Sequence, residues 1–96
     1  MKLTGETKEQ FEKWFNTHHV YEHFGLATFK ELPASFQWGV IQDFADSLGY
    51  ELYISKEGLS WFWAIDETLY EGYKKTRQEA RNAAIEKLNE ILNQNK

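Results

Sequence analysis

Between Tyr50 and Lys74 the apolar residues of this chain recur at every second position, and on either side of that stretch they recur every three or four. Such a switch constrains the backbone strongly. A period of two suits a pleated strand, and a period near 3.6 suits a helix. Leu52 and Ile54 alternate with Glu51, Tyr53 and Ser55. The run "SKEG" reads as a turn, after which Leu59, Trp61, Trp63 and Ile65 alternate with Ser60, Phe62 and Ala64. "DET" marks a second turn, and Leu69 to Tyr73 reads as a short third strand. Turn residues at this spacing predict two successive hairpins.

The flanks predict helices. "LPASFQW" opens one, with Pro33 tolerated in its first turn. Its expected apolar stripe is Phe36, Val40, Ile41, Phe44 and Leu48, and Gly49 suits the left-handed position that ends it. After the strands, Thr76 and Glu79 have the spacing of a capping box. Ala80, Ala84, Leu88, Ile91 and Leu92 then form a buried stripe whose small residues allow close packing. Nearer the start, a helix is expected from about Thr7 to Thr17, with Thr7 and Gln10 as another capping box. Phe11, Trp14, Phe15 and His18 fall on one of its faces. "HHVYEHFG" and the residues after it read as irregular structure.

The order is therefore a helix, then α-β-β-β-α. The expected class is α+β, a two-layer sandwich with a three-stranded antiparallel meander and helices on one face. The 96 residues fit one domain. Residues 1–32 hold the first helix and a connecting segment, and residues 33–96 hold the core. A chain of this size buries roughly 60 to 65% of the surface its unfolded form exposes. Four Trp, seven Phe and five Tyr enlarge that small core, each ring burying roughly 150–250 Å².

There is no cysteine, which removes disulfides, thiolate metal sites and cysteine nucleophiles. No window reaches the roughly 18 consecutive apolar residues of a membrane span, and the polar start lacks the apolar core of a signal peptide. A cytoplasmic protein, monomeric or homodimeric and without membrane contact, is the expectation. No nucleophile elbow, P-loop, dinucleotide turn or HExxH motif is present, so no enzyme and no cofactor are expected. His18, His19 and His23 contain an i, i+4 pair with Glu22 beside it, a weak metal candidate because a closed zinc site wants four ligands. Asp43 and Asp46 lie near one another on the polar side of the second stripe, where solvated carboxylates are the ordinary case.

Charge is unevenly placed. Residues 1–71 carry 5 Lys/Arg and 12 Asp/Glu, and residues 72–96 carry 6 Lys/Arg and 3 Glu, within a net charge of −4. Such asymmetry bears on partners more than on fold. Lys74, Lys75, Arg77 and Arg81 form the leading candidate site, for an anion or nucleic-acid phosphate. Arg77 and Arg81 share one helical face, next to the free N–H groups of the helix start. Cations at a helix N-terminus oppose its dipole, and functional sites are where such local rules break. The strand alternation supplies a second surface. If Trp61 and Trp63 face the helices, Phe62 points the other way, joined by Tyr53 and Tyr70. That face is expected to lie under the N-terminal helix, with Phe11, Trp14 and Phe15 over it, or against a partner.

From about residue 34 to 93 the chain resembles a double-stranded RNA-binding domain. In that family the last helix opens with Ser–Lys–Lys–x–Ala–Lys followed by alanines. Thr76 stands at the serine, Arg77 at the first lysine, Gln78 at the second, Ala80 at the alanine and Arg81 at the third lysine, and Ala83 and Ala84 continue the small-residue run. "YEGYKK" is similar to the family's glycine-containing approach to that helix. The resemblance implies RNA contact through three surfaces. One is the basic helix start kept here. The others are the loop between the first two strands, which is "SKEG" without the family's Gly-Pro-x-His, and the first helix of the fold, which carries Asp43 and Asp46. Double-stranded RNA is read largely by phosphate and 2′-hydroxyl contacts across successive grooves, so two altered surfaces weaken that function.

"FQWGVIQDFADSLGYELYI" followed by "TRQEARNAAIEKLNEIL" is also similar in layout to small acidic, cysteine-free proteins of phages and mobile elements in Bacteroidetes-type bacteria. Some proteins of that kind inhibit host defence nucleases, including CRISPR effectors. This resemblance implies a non-catalytic, anti-CRISPR-type inhibitor that binds a host nuclease or nucleoprotein complex. Its acidic body would mimic phosphate, with Tyr53, Phe62, Tyr70, Asp43 and Asp46 as interface candidates. Its basic edge would touch the guide RNA. The alternative is a structured or double-stranded RNA-binding module that uses Lys74, Lys75, Arg77 and Arg81.

Overall fold

The computed structural model of the chain describes residues 3–17, 26–66 and 70–94. Helix α1 spans Gly5–Thr17, α2 Leu26–Glu31 and α3 Ala34–Ser47. Strands β1 (Leu52–Glu57), β2 (Ser60–Ile65) and β3 (Tyr70–Lys74) come next, and α4 (Arg77–Gln94) closes the order. The sheet is antiparallel with spatial order β1-β2-β3, the meander expected from the alternation. The class is α+β.

Helix α4 crosses all three strands, and α3 packs beside it against β1. Ala80 and Ala84 are fully buried and let α4 approach the sheet. Ile41, Phe44, Ile65, Leu88 and Phe15 are the large residues at the centre of the core, each contributing about 1.5–3 kcal/mol by leaving water. Gln42 ties the layers together, its amide donating to the Leu52 carbonyl at 3.1 Å.

The stripe of α3 is rotated from the expected one. Val40, Ile41 and Phe44 are buried, but Phe36 is 43% and Leu48 39% exposed, while Trp38 and Ala45 are buried instead. Trp38, Ile41 and Ala45 follow the i, i+3, i+7 spacing, whereas Phe36 lies five residues from Ile41 and so off that face. Pro33 sits just before the helix, at its N-cap, and its carbonyl accepts from the Phe36 and Gln37 N–H groups. Gly49 takes the left-handed conformation expected of it, with φ +88°. Helix α2 was not foreseen. The Gln37 amide holds its end by donating to the Leu32 and Phe29 carbonyls at 2.9 and 3.1 Å.

The first hairpin turn is tighter than "SKEG". Strand β1 runs on through Glu57, which pairs with Ser60, and the turn is Gly58–Leu59. Gly58 has φ +63°, which glycine adopts without strain at the first central position of a two-residue hairpin. Leu59 is therefore at the tip and 97% exposed, outside the core-facing row expected for it.

The N-terminal helix also departs from expectation. It begins at Gly5, and Thr7 lies inside it, fully buried and bonded to Asn93 of α4, with no capping box to Gln10. Phe11 and Phe15 pack on Phe29, and Phe11 meets Phe44 edge-on at 5.3 Å. α1 thus joins α2, α3 and α4 in the helical layer and does not cover the far face of the sheet. Burial of its rings against helices already holding apolar side chains outweighs any contact with a face that carries Glu57 and Glu71. His18, His19 and His23, and the irregular segment expected around them, lie outside the described residues.

Candidate nucleic-acid and partner interfaces

Strand register decides which side chains share a face. Opposite residues in an antiparallel ladder point the same way. Leu52, Ile65 and Tyr70 form one helix-facing row, Ile54, Trp63 and Gly72 the next, and Lys56, Trp61 and Lys74 the last. Tyr53, Ala64 and Glu71 form an outer row, and Ser55, Phe62 and Tyr73 another.

The basic candidates gather where the last helix-facing row meets the start of α4. The Arg77 guanidinium lies 4.7 Å from the Trp61 ring centroid. A cation stacked this way gains about 0.5–1 kcal/mol at an exposed site, which offsets its unfavourable place at the positive helix end. The capping box forms as expected. The Glu79 N–H donates to Thr76 Oγ1 at 3.1 Å, and the Thr76 hydroxyl donates to Glu79 Oε1 at 3.0 Å. Gln78 donates to Asn82 at 3.0 Å, one turn along the same helix. Arg81 is half-buried, and its Nε is buried with no hydrogen-bond partner. Burial first, and the neighbouring Arg77 charge second, lower its pKa from the ordinary arginine value.

Lys74, Lys75 and Arg77 are exposed, and among the described residues neither they nor Arg81 form an ion pair. Lys56 joins them across Trp61 without a carboxylate partner among the described residues. Lys74, Arg77 and Arg81 thus lie about the Trp61 end of the sheet, Lys75 is exposed next in the chain, and Lys56 and Trp61 add to the group. Sequence pattern alone hid both, because it ended β1 too early and so obscured the Lys56–Trp61 pairing.

The outer face is aromatic, but its members differ from those expected. Phe62 lies between Tyr53 and Tyr73, with ring centroids 6.3 and 5.3 Å apart. Tyr53 is 47% and Tyr73 60% exposed. Tyr70 is corrected to the opposite face. It pairs with Ile65, packs against the core, and carries the Lys87 ammonium 4.7 Å above its ring. Period two forces this, because Tyr70 and Tyr73 are an odd number of positions apart. The neighbouring Glu57 carboxylate, through side-chain hydrogen bonding first and its charge second, raises the Tyr73 pKa above its ordinary value. Asp43 and Asp46 lie on α3, in the helical layer, so they are on a different surface from the outer aromatics.

Among the described residues no group of three or more His, Asp or Glu side chains is placed to hold a metal ion, and no helix is long and apolar enough to cross a membrane. No protein family, curated protein or solved structure matched the chain.

Proposed function

We propose that this is a non-catalytic interaction protein, encoded by a phage or mobile element, that binds a host nucleic-acid-processing nuclease and inhibits it. An RNA-guided effector is the target class. The observation that carries this reading is the separation of two surfaces on one small body. A cationic edge without ion pairs among the described residues surrounds Trp61, and an acid-rimmed aromatic face lies on the far side of the sheet. A nucleoprotein offers complements to both, phosphates for the edge and basic channel residues for the acids. Opposite potentials of this kind steer association and select partners. The test mixes the purified protein with nuclease–guide complexes, follows co-elution by size exclusion and measures cleavage. Co-elution with loss of cleavage is expected, and a panel of such complexes that neither co-elute nor lose activity discards the target class.

The Arg77–Trp61 stack favours a second reading, direct binding of structured or double-stranded RNA through Lys74, Lys75, Arg77 and Arg81. Phosphate contacts make affinity fall steeply with salt. A mobility-shift series at two salt concentrations separates this reading from the first, since it requires a shift of bare RNA at low salt.

A further inference from the structure

We infer that the outer face of the sheet, centred on Phe62 between Tyr53 and Tyr73, is a docking surface for arginine side chains of a basic protein segment. It is separate from the Arg77–Trp61 edge, and it rests on the reading above only in that the chain binds a protein.

Three features of this face point to that occupant. Its rings, Tyr53 and Tyr73 exposed and Phe62 half-buried between them, are aligned across all three strands by the Ser55–Phe62–Tyr73 register and the neighbouring Tyr53. A guanidinium is planar and weakly hydrated, and it stacks on aromatic faces better than an ammonium. The charged side chains that the strands place on this face are Glu57 and Glu71, both exposed and without ion pairs among the described residues. Glu57 and Tyr73 share this outer face and lie close enough for the carboxylate to raise the tyrosine pKa, which puts a carboxylate near a ring. A ring with an adjacent carboxylate offers arginine both stacking and a charge-assisted hydrogen bond. The lysines of the strands, Lys56 and Lys74, point to the helix side and do not compete.

Charge also separates this occupant from the others. A second copy of the chain docked face to face would bring Glu57 and Glu71 against the same residues. A nucleic acid would bring phosphates against them. Each juxtaposition is repulsive, whereas a row of arginines is attracted.

The test titrates a deca-arginine peptide into the isotopically labelled protein and follows amide chemical shifts, with deca-lysine in parallel. Deca-arginine is expected to shift the amides of β1, β2 and β3 and to bind at least several-fold more tightly than deca-lysine. Tyr53→Ala with Tyr73→Ala, and separately Glu57→Gln with Glu71→Gln, should each weaken binding about ten-fold or more. Both pairs are exposed, so the fold survives. The control Glu9→Gln with Glu86→Gln, exposed acids of the helical layer, should leave affinity within two-fold. Equal loss in the control, shifts confined to the helical layer, or equal affinity for deca-lysine would overturn the proposal. A dimer in the free protein that Tyr73→Ala dissociates would also overturn it, by assigning the face to a second copy. Peptide binding that persists while no nuclease is inhibited keeps this surface and discards the nuclease target.

Discussion

The Thr7 hydroxyl donates to Asn93 Oδ1 at 3.0 Å, joining α1 to the far end of α4. The same amide oxygen accepts the Thr7 N–H at 3.1 Å, and the Asn89 amide oxygen accepts the Thr4 N–H at 2.8 Å. Free N–H groups at a helix start need acceptors. Here two asparagines of another helix supply them in place of a local cap. Gly5 belongs to the same joint, with φ +60°, and a Cβ there would stand 2.9 Å from Asn93 Oδ1.

Asn93→Ala leaves both the buried Thr7 hydroxyl and its N–H without that acceptor, so it should cost about 1–3 kcal/mol. Thr7→Val removes only the hydroxyl bond and should cost less, about 1 kcal/mol. Urea unfolding of the two variants checks the order, and a costlier Thr7→Val would refute the joint described.

Gly72 sits under the Trp63 indole. A Cβ at this position would meet Nε1 at 2.7 Å and Cε2 at 3.0 Å. Trp63 packs against the core and cannot swing aside freely. Gly72→Ala should destabilise the protein by roughly 1–3 kcal/mol, the ordinary cost of overpacking. Thermal unfolding measures this, and an unchanged midpoint would mean that the indole has room.

If the basic edge binds RNA, Arg77→Ala with Arg81→Ala should flatten the dependence of affinity on salt by roughly one unit of slope per lost phosphate contact. Arg77→Lys keeps the charge but loses the planar stack on Trp61, so it should weaken binding while Lys75→Arg does not. Mobility shifts across a salt series distinguish these outcomes. An unaltered slope in the double variant places the contact elsewhere.

Tyr73 should titrate above its ordinary value of 10.0, because the Glu57 carboxylate nearby favours the protonated hydroxyl, as an acceptor and as a like charge to the phenolate. With the folded value raised, this contact supports the fold below pH 10.0 and is lost as pH climbs through the folded value. Carbon-13 spectra of labelled tyrosine, assigned with Tyr73→Phe, follow that ring. Glu57→Gln should bring its midpoint down, and no movement would remove the Glu57 carboxylate from the account of this ring.

Local pattern made much of this protein legible. The Thr76–Glu79 box, the left-handed Gly49 and the three-stranded meander all depend on residues close in sequence, whose spacing dictates their geometry. Lys74, Lys75, Arg77 and Arg81 were visible as a cluster for the same reason. The Lys56–Trp61 pairing was not, because it depends on where the Gly58–Leu59 turn sets β1 on β2, and the exchange of Tyr70 for Tyr73 was not, because it depends on the register of β3 on β2. A slip of one residue there transfers a side chain from one face to the other.

The placement of α1 lay further beyond local pattern. Phe11, Trp14 and Phe15 mark a helix with an apolar face, yet an apolar face does not name the surface it will cover. Only the assembled fold decided that it would pack on α4 through Thr7, Asn89 and Asn93, residues more than 80 positions apart. Sequence by itself determined the three longer helices, the three strands and the charge division along the chain. Tertiary structure decided which face stayed open, because burial is settled by competition among surfaces that meet only when the chain folds.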